Sequence, residues 1–150
     1  MELIEKLGGI LKARGLTIAC AESCTGGLLT SRLTDFDGSS AYVKGSVVSY
    51  STDVKIDLLG VDRNTIEKRG VVSVETAVEM AGGVRRLIGT DIGVGITGYA
   101  GPRGDDVGLV CIAVVTNDRC ESRQFRFDGE RTEIKHQSVD AAVQLIIDNI

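Results

Sequence analysis

Between a short apolar run at Leu16–Ala19 and helically spaced apolar residues at Leu28–Leu33 lies Ala21-Glu-Ser-Cys-Thr-Gly-Gly27, and this junction constrains the fold more than any other stretch. A strand that turns directly into a helix is the building unit of an open α/β sheet. Ligands bind such sheets beyond the carboxyl ends of the strands, where helix N-termini and free backbone N–H groups face the crevice. A turn of purely structural purpose needs one capping side chain and at most a glycine. Here a carboxylate (Glu22), two hydroxyls (Ser23, Thr25), a thiol (Cys24) and two glycines (Gly26, Gly27) share six positions. That density of reactive groups marks the turn as a candidate ligand or catalytic site.

The rest of the chain completes an α/β pattern. Apolar residues at Leu3, Ile4, Leu7, Ile10 and Leu11 give Glu2–Lys12 one helical face, with Gly15 as its stop. The spacing predicts a strand over Thr17–Ala21, a second helix over Thr25–Leu33 and a turn at Asp35–Ser40. Ala41–Tyr50 is β-rich, with a break expected near Gly45. Ser51 suits the N-cap of a short helix reaching Leu59, and Thr65–Arg69 reads as another helical turn. Ser73 caps a helix over Val74–Ile88 whose core face is expected at Val78, Ala81, Val84 and Leu87 or Ile88. Asp91–Ile96 is an all-apolar central strand that runs into a second small-residue loop, Thr97-Gly-Tyr-Ala-Gly-Pro102. Val107–Thr116 and Arg119–Phe127 pair around Asn117-Asp118, and a final helix covers Glu130–Ile147. The expectation is a three-layer α/β/α sandwich with a mixed, mostly parallel sheet, forming a single domain over residues 1–150.

Composition excludes several function classes. The net charge of −4, with no long basic run, leaves no footprint for nucleic acid. Apolar runs of strand length and a charged amphipathic N-terminus predict no membrane span and a cytoplasmic location. Cys20, Cys24, Cys111 and Cys120 lack CxxC spacing, so reduced thiols are expected and a zinc site is not. The single histidine, His136, lies among Glu133, Lys135 and Gln137 and reads as a solvated helix residue. No histidine cluster for a metal exists, and no cofactor is called for.

With histidine scarce, a hydroxyl nucleophile at the first loop needs another base. Lys55 follows a strand ending at Tyr50 and sits one turn into the short helix begun at Ser51. Read by itself it is an ordinary solvated lysine; desolvated, it becomes neutral near pH 7 and serves as a base. Cys24 is a rival nucleophile, because a thiol near a helix N-terminus tends toward thiolate, while its plain reading is a small buried hydrophobe. Spacing alone does not separate Ser23 from Cys24. Neither glycine-containing loop matches the dinucleotide fingerprint or the P-loop.

Ala21-Glu-Ser-Cys-Thr-Gly-Gly27, Gly38-Ser-Ser, Val48-Ser-Tyr-Ser-Thr-Asp-Val-Lys55 with Leu59-Gly-Val, Gly70-Val-Val-Ser73 and Thr97-Gly-Tyr-Ala-Gly-Pro102 together resemble the CinA C-terminal domain family, in the family's order and over nearly the whole chain. The resemblance implies a serine amidohydrolase that converts nicotinamide mononucleotide to nicotinate mononucleotide and ammonia. It assigns Ser23 as nucleophile, Lys55 as general base and Tyr50 as a hydroxyl that assists the dyad or orients substrate. It further implies substrate contacts from Thr97 and Arg131, and a homo-oligomer as the assembled form. On this reading Glu22 holds the cationic pyridinium, N–H groups around Thr25 and Gly26 stabilise the oxyanion, and Gly27 belongs to the substrate-binding turn. Arg131 and the second loop (Gly98, Ala100, Gly101) take the phosphate. The sequence departs from the family pattern after Pro102. Gly101-Pro-Arg-Gly-Asp-Asp-Val-Gly108 is shorter than usual and lacks a Lys-Pro pair, Thr52 replaces an asparagine, and Gly129-Glu-Arg131 replaces Gly-Asp-Arg. These departures keep a different amide, or a non-catalytic nucleotide-binding module, as alternatives.

Overall fold

The computed structural model describes residues 1–150. Helix α1 (Leu3–Arg14) leads into β1 (Ile18–Glu22), α2 (Leu28–Leu33) and β2 (Val43–Val48). Two short helices, α3 (Thr52–Asp57) and α4 (Arg63–Arg69), precede α5 (Val74–Ile88) and β3 (Ile92–Gly98). A hairpin of β4 (Leu109–Val115) and β5 (Cys120–Arg126) is followed by α6 (Arg131–Asp148). The five strands form one sheet in the order β2-β1-β3-β4-β5. β1 runs parallel to both β2 and β3, and β4 is antiparallel to both its neighbours, so only β4 opposes the common direction. The sheet is mixed and mostly parallel, as expected.

Helices cover both faces. The larger core joins Leu7, Leu11, Leu29 and Leu33 from α1 and α2 with Val139, Ala142, Val143 and Ile146 from α6. The sheet meets them with Ile18, Cys20, Ile92, Val94, Ile96, Val110, Ile112 and Val114. On the opposite face the same strands present Ala19, Ala21, Gly93, Gly95, Cys111 and Ala113, and α5 lies against them through Ala77, Met80, Ala81 and Val84. Side chains alternate across a strand, so these all-apolar strands carry a hidden alternation of size, large toward α1, α2 and α6 and small toward α5. A Cβ on Gly93 or Gly95 would overlap the carbonyl oxygens of Ala81 and Ala77, which sets how closely α5 approaches the sheet.

Three expectations are corrected here. α2 starts at Leu28 rather than Thr25, because Gly26 and Gly27 have φ of 60° and 101° and hold the turn open for one more loop. β2 is continuous through Gly45; the irregularity there is a register shift against β1, with Ile18 opposite Val43 and Ala19 opposite Gly45. On α5 the expected face holds at Ala81, Val84 and the half-buried Ile88, but it is widened to Ala77 and Met80 while Leu87 is 48% exposed, since the contact is made by small residues meeting glycines. The predicted caps hold: Gly15 ends α1 in the left-handed conformation, and Ser51 and Ser73 accept from the amides of Val54 and Thr76. α6 gains a capping box between Glu130 and Glu133.

β1 lies between β2 and β3, so the chain passes from it to one neighbour and returns across it to the other. The parallel ends of the three strands meet at that point. Ser23 N–H donates to Ile96 O, and Ser49 N–H donates to Glu22 O, drawing the residues after β1 and β2 and the end of β3 into one crevice.

Candidate active site

A cavity of about 440 Å³ opens at this crevice, within the range typical of small-molecule sites. Ser23, Cys24, Lys55 and Thr97 line its interior, and Tyr50, Tyr99, Pro102, Arg103 and Arg131 stand at its exposed rim. Ser23 is 8% exposed and Lys55 1% exposed. The Lys55 amine donates to Ser23 Oγ at 3.0 Å and to the Ser49 carbonyl at 2.6 Å. No carboxylate pairs with it. Burial lowers the Lys55 pKa from the ordinary value near 10.5, and the neighbouring Cys24 thiol opposes this only in part. Capping by Ser51 places Lys55 in the last turn of α3, pointing inward, while β1 delivers Ser23 just past its last paired residue. A nucleophile and a desolvated base thus stand in hydrogen-bond reach, the geometry that activates a hydroxyl.

Cys24 is set apart from this pair. Burial pushes its thiol up to about 11; a hydrogen bond from its own amide, Lys55 and Arg131 pull the other way without reversing the shift. A protonated thiol is a poor nucleophile. Cys24 thus fits its plain reading as a buried small residue beside the dyad.

Glu22 is corrected. Its side chain is fully buried and does not reach the cavity. One carboxylate oxygen accepts from Thr25 Oγ1 at 2.7 Å and Leu29 N–H at 2.9 Å, the other from Thr30 N–H at 2.9 Å and Thr30 Oγ1 at 2.6 Å. Along β1, Glu22 points to the same face as Ile18 and Cys20, which places it under α2 rather than toward a ligand. Its charge satisfies the first amides of that helix and locks the nucleophile turn.

Thr25, Gly26 and Gly27 also lie outside the cavity lining. The Thr25 hydroxyl is held by Glu22, and the Gly26 amide donates to the Ser23 carbonyl at 3.0 Å. Gly26 therefore has no N–H for an oxyanion. Of the amides in this turn, that of Cys24, which lines the cavity and has no partner other than its own thiol, is the donor that remains. Gly27 serves as the left-handed residue before α2.

The second loop meets the first as expected. Thr97, Gly98, Ala100 and Gly101 all line the cavity. The Thr97 hydroxyl, however, donates to Val71 O at 3.0 Å, tying the segment before α5 to the end of β3. Tyr50, 62% exposed, makes no hydrogen bond with Ser23 or Lys55. Its hydroxyl accepts from Arg131 at 2.9 Å, and the same guanidinium donates to the Gly101 carbonyl. Of the two roles given to Tyr50, assisting the dyad is not supported by this arrangement; its ring stands at the cavity rim. Arg103, Tyr99 and Val72 line the cavity without having been singled out in the sequence. Only Arg103 carried a signal, as the one cation in the second loop. His136 is exposed on α6 and does not line the cavity. No group of three or more His, Cys, Asp or Glu side chains is arranged to hold a metal ion, and no helix is long and apolar enough to cross a membrane.

Comparison with known proteins agrees with this fold. A CinA-like protein of Chloroherpeton thalassium is 46% identical over 154 residues, covering 97% of this chain and 37% of that protein. The chain thus spans about a third of the length of the curated relatives it matches. Among solved structures, the competence/damage inducible protein CihA from Agrobacterium tumefaciens superposes with a TM-score of 0.94 at 37% identity, over 97% of this chain and 92% of that one. A competence or damage-inducible protein from Enterobacter asburiae gives 0.95 at 33% identity, over 99% and 96%. The family described as the CinA C-terminal domain matches residues 1–150, and the chain belongs to that family.

Proposed function

We propose that this chain is a serine amidohydrolase that hydrolyses the carboxamide of nicotinamide mononucleotide to nicotinate mononucleotide and ammonia. The observation that carries the reading is the buried, unpaired Lys55 amine 3.0 Å from Ser23 Oγ. A neutral Lys55 removes the Ser23 proton as Oγ bonds to the carboxamide carbon, and the resulting oxyanion accepts from the Cys24 amide. Lys55 returns that proton to the amide nitrogen, the C–N bond breaks and ammonia leaves. A water then gives its proton to Lys55 and attacks the acyl-serine ester, restoring Ser23 and releasing the acid. Because Glu22 faces away, the cationic ring is received by the aromatic faces of Tyr50 and Tyr99 rather than by a carboxylate.

A binding module using Lys55 as a phosphate contact would need that amine accessible, and its burial disfavours this. The reading is tested by measuring ammonia release from nicotinamide mononucleotide by the wild-type protein, Ser23→Ala and Lys55→Ala. Turnover by wild type, with losses of about 10³-fold or more in both variants, is expected; the Ser23→Ala protein should still bind the nucleotide. Undiminished turnover in Ser23→Ala would overturn it.

A further inference from the structure

A protonated lysine carries three N–H donors, and a buried one needs an acceptor for each and a counter-ion for its charge. Lys55 is 1% exposed, and the chain offers its amine two acceptors, Ser23 Oγ and the Ser49 carbonyl, both uncharged. Of the fifteen residues that line the adjoining cavity, none is an aspartate or glutamate. The titratable groups that share the cavity with Lys55 are Cys24 after β1, Tyr50 after β2, Tyr99 and Arg103 in the second loop, and Arg131 on α6. Burial keeps the Cys24 thiol protonated. Carboxylates on the surrounding segments are turned elsewhere. Glu22 is held under α2, Asp106 pairs with Arg126, and Asp53 and Asp57 on α3, Glu75 on α5 and Asp105 in the second loop are exposed and outside the lining. A charged Lys55 therefore lacks a third acceptor and a counter-ion, and open space of about 440 Å³ lies beside it.

The product of amide hydrolysis supplies both missing parts. Once water has opened the acyl-serine, an acid stands at Ser23 next to the amine. A free carboxyl group titrates near about 4, so its proton passes to Lys55 Nζ and leaves a carboxylate against an ammonium. One carboxylate oxygen accepts the third N–H of Lys55, and the other accepts the free Cys24 amide. The amide substrate has no charge at that end and binds beside the neutral amine, so it brings no proton.

We infer that the pocket at Ser23 and Lys55 binds the carboxylate of its own product together with a proton, which settles on the Lys55 amine, so that the protein is inhibited by its product and more strongly as pH falls. The inference rests on the proposed function for the identity of the acid, but not for the uptake of a carboxylate. Departure of the acid leaves a buried ammonium without a partner, which couples release to loss of that proton. Linkage sets the sign: above the Lys55 pKa of the free protein the affinity for the acid falls about tenfold per pH unit, and below it the affinity is level. Because burial lowers that pKa from 10.5, the slope begins below the ordinary lysine range.

The test titrates nicotinate mononucleotide into wild type, Ser23→Ala and Lys55→Met by calorimetry, in two buffers of different ionisation enthalpy and between about pH 7 and 10. Nicotinamide mononucleotide, which carries the same phosphate, is titrated into Ser23→Ala as the control that is not turned over. Toward the alkaline end, wild type and Ser23→Ala are expected to take up about one proton with the acid, and Ser23→Ala none with the amide. Uptake and the pH slope should both be absent in Lys55→Met. In assays of ammonia release, the acid should inhibit competitively, with a Ki that rises about tenfold per pH unit over the same range. No binding of the acid by wild type, binding without proton uptake, equal uptake with acid and amide, or uptake that persists in Lys55→Met would overturn the inference even with ammonia release intact. Lys55-dependent uptake with the acid but no ammonia release would keep the carboxylate site and overturn the proposed reaction.

Discussion

Lys55 concentrates the chemistry of this chain in one residue. Its position after Tyr50 and Ser51 was legible, and the scarcity of histidine pointed to a base of another kind. Its burial was not legible, because a lysine in a six-residue helix gives no sign of which side it faces. Glu22 misleads for the opposite reason: a carboxylate beside a nucleophile looks like a substrate contact, and only strand parity and the amides of Leu29 and Thr30 turn it inward. The lowered Lys55 pKa makes two linked predictions. The rate kcat/KM should rise with pH through an apparent pKa below 10.5 and then level off; a rise centred at the ordinary lysine value would contradict a desolvated base. Stability responds with the same sign. Below the lowered folded value both states carry the proton and the folded state bears the burial cost. As pH rises from that value toward 10.5 the unfolded state holds more protons, so stability increases. Chemical denaturation across alkaline pH should show this gain in wild type and lose it in Lys55→Met.

Helix α5 and strand β3 define the element scale. The helix was placed to the residue by its Ser73 cap, and Ala81, Val84 and Ile88 were rightly put inward, but Ala77 and Met80 were missed, since hydrophobic periodicity weighs Leu87 above Ala77. The contact is decided by what is missing: Gly93 and Gly95 leave no Cβ between the strand and the carbonyls of Ala81 and Ala77. Size alternation in an all-apolar strand is visible in Ile92-Gly-Val-Gly-Ile96 once both faces are known to be covered. Gly95→Ala should therefore force α5 off the sheet, costing about 3 kcal/mol and lowering Tm by roughly 6–12 °C. A thermal melt matching wild type would show that the helix yields without cost. Because Thr97 Oγ1 ties the segment before α5 to β3, the same shift should also disturb the cavity wall at Val71 and Val72.

At the scale of the whole molecule, the site is a product of topology. Ser23 follows β1, Lys55 follows β2, Thr97 ends β3 and Arg131 begins α6, so residues 108 positions apart in sequence meet where three parallel strands end. The alternation of elements and the two small-residue loops made the sandwich and the convergence of the loops legible. Of the rim, Tyr50 and Arg131 were named through the resemblance, while Tyr99 and Arg103 were not, because their place depends on how the second loop folds back, which no local pattern encodes. The central claim, that this convergence makes Ser23 an acylating nucleophile served by Lys55, is tested most directly by trapping the covalent step. Wild-type protein turning over nicotinamide mononucleotide is quenched in acid, and the peptide containing residues 23–25 is fragmented in a mass spectrometer. An acyl adduct on Ser23 that is absent from Ser23→Ala and Lys55→Ala is the predicted result. An adduct on Cys24, or ammonia release that survives in Ser23→Ala, would contradict the account.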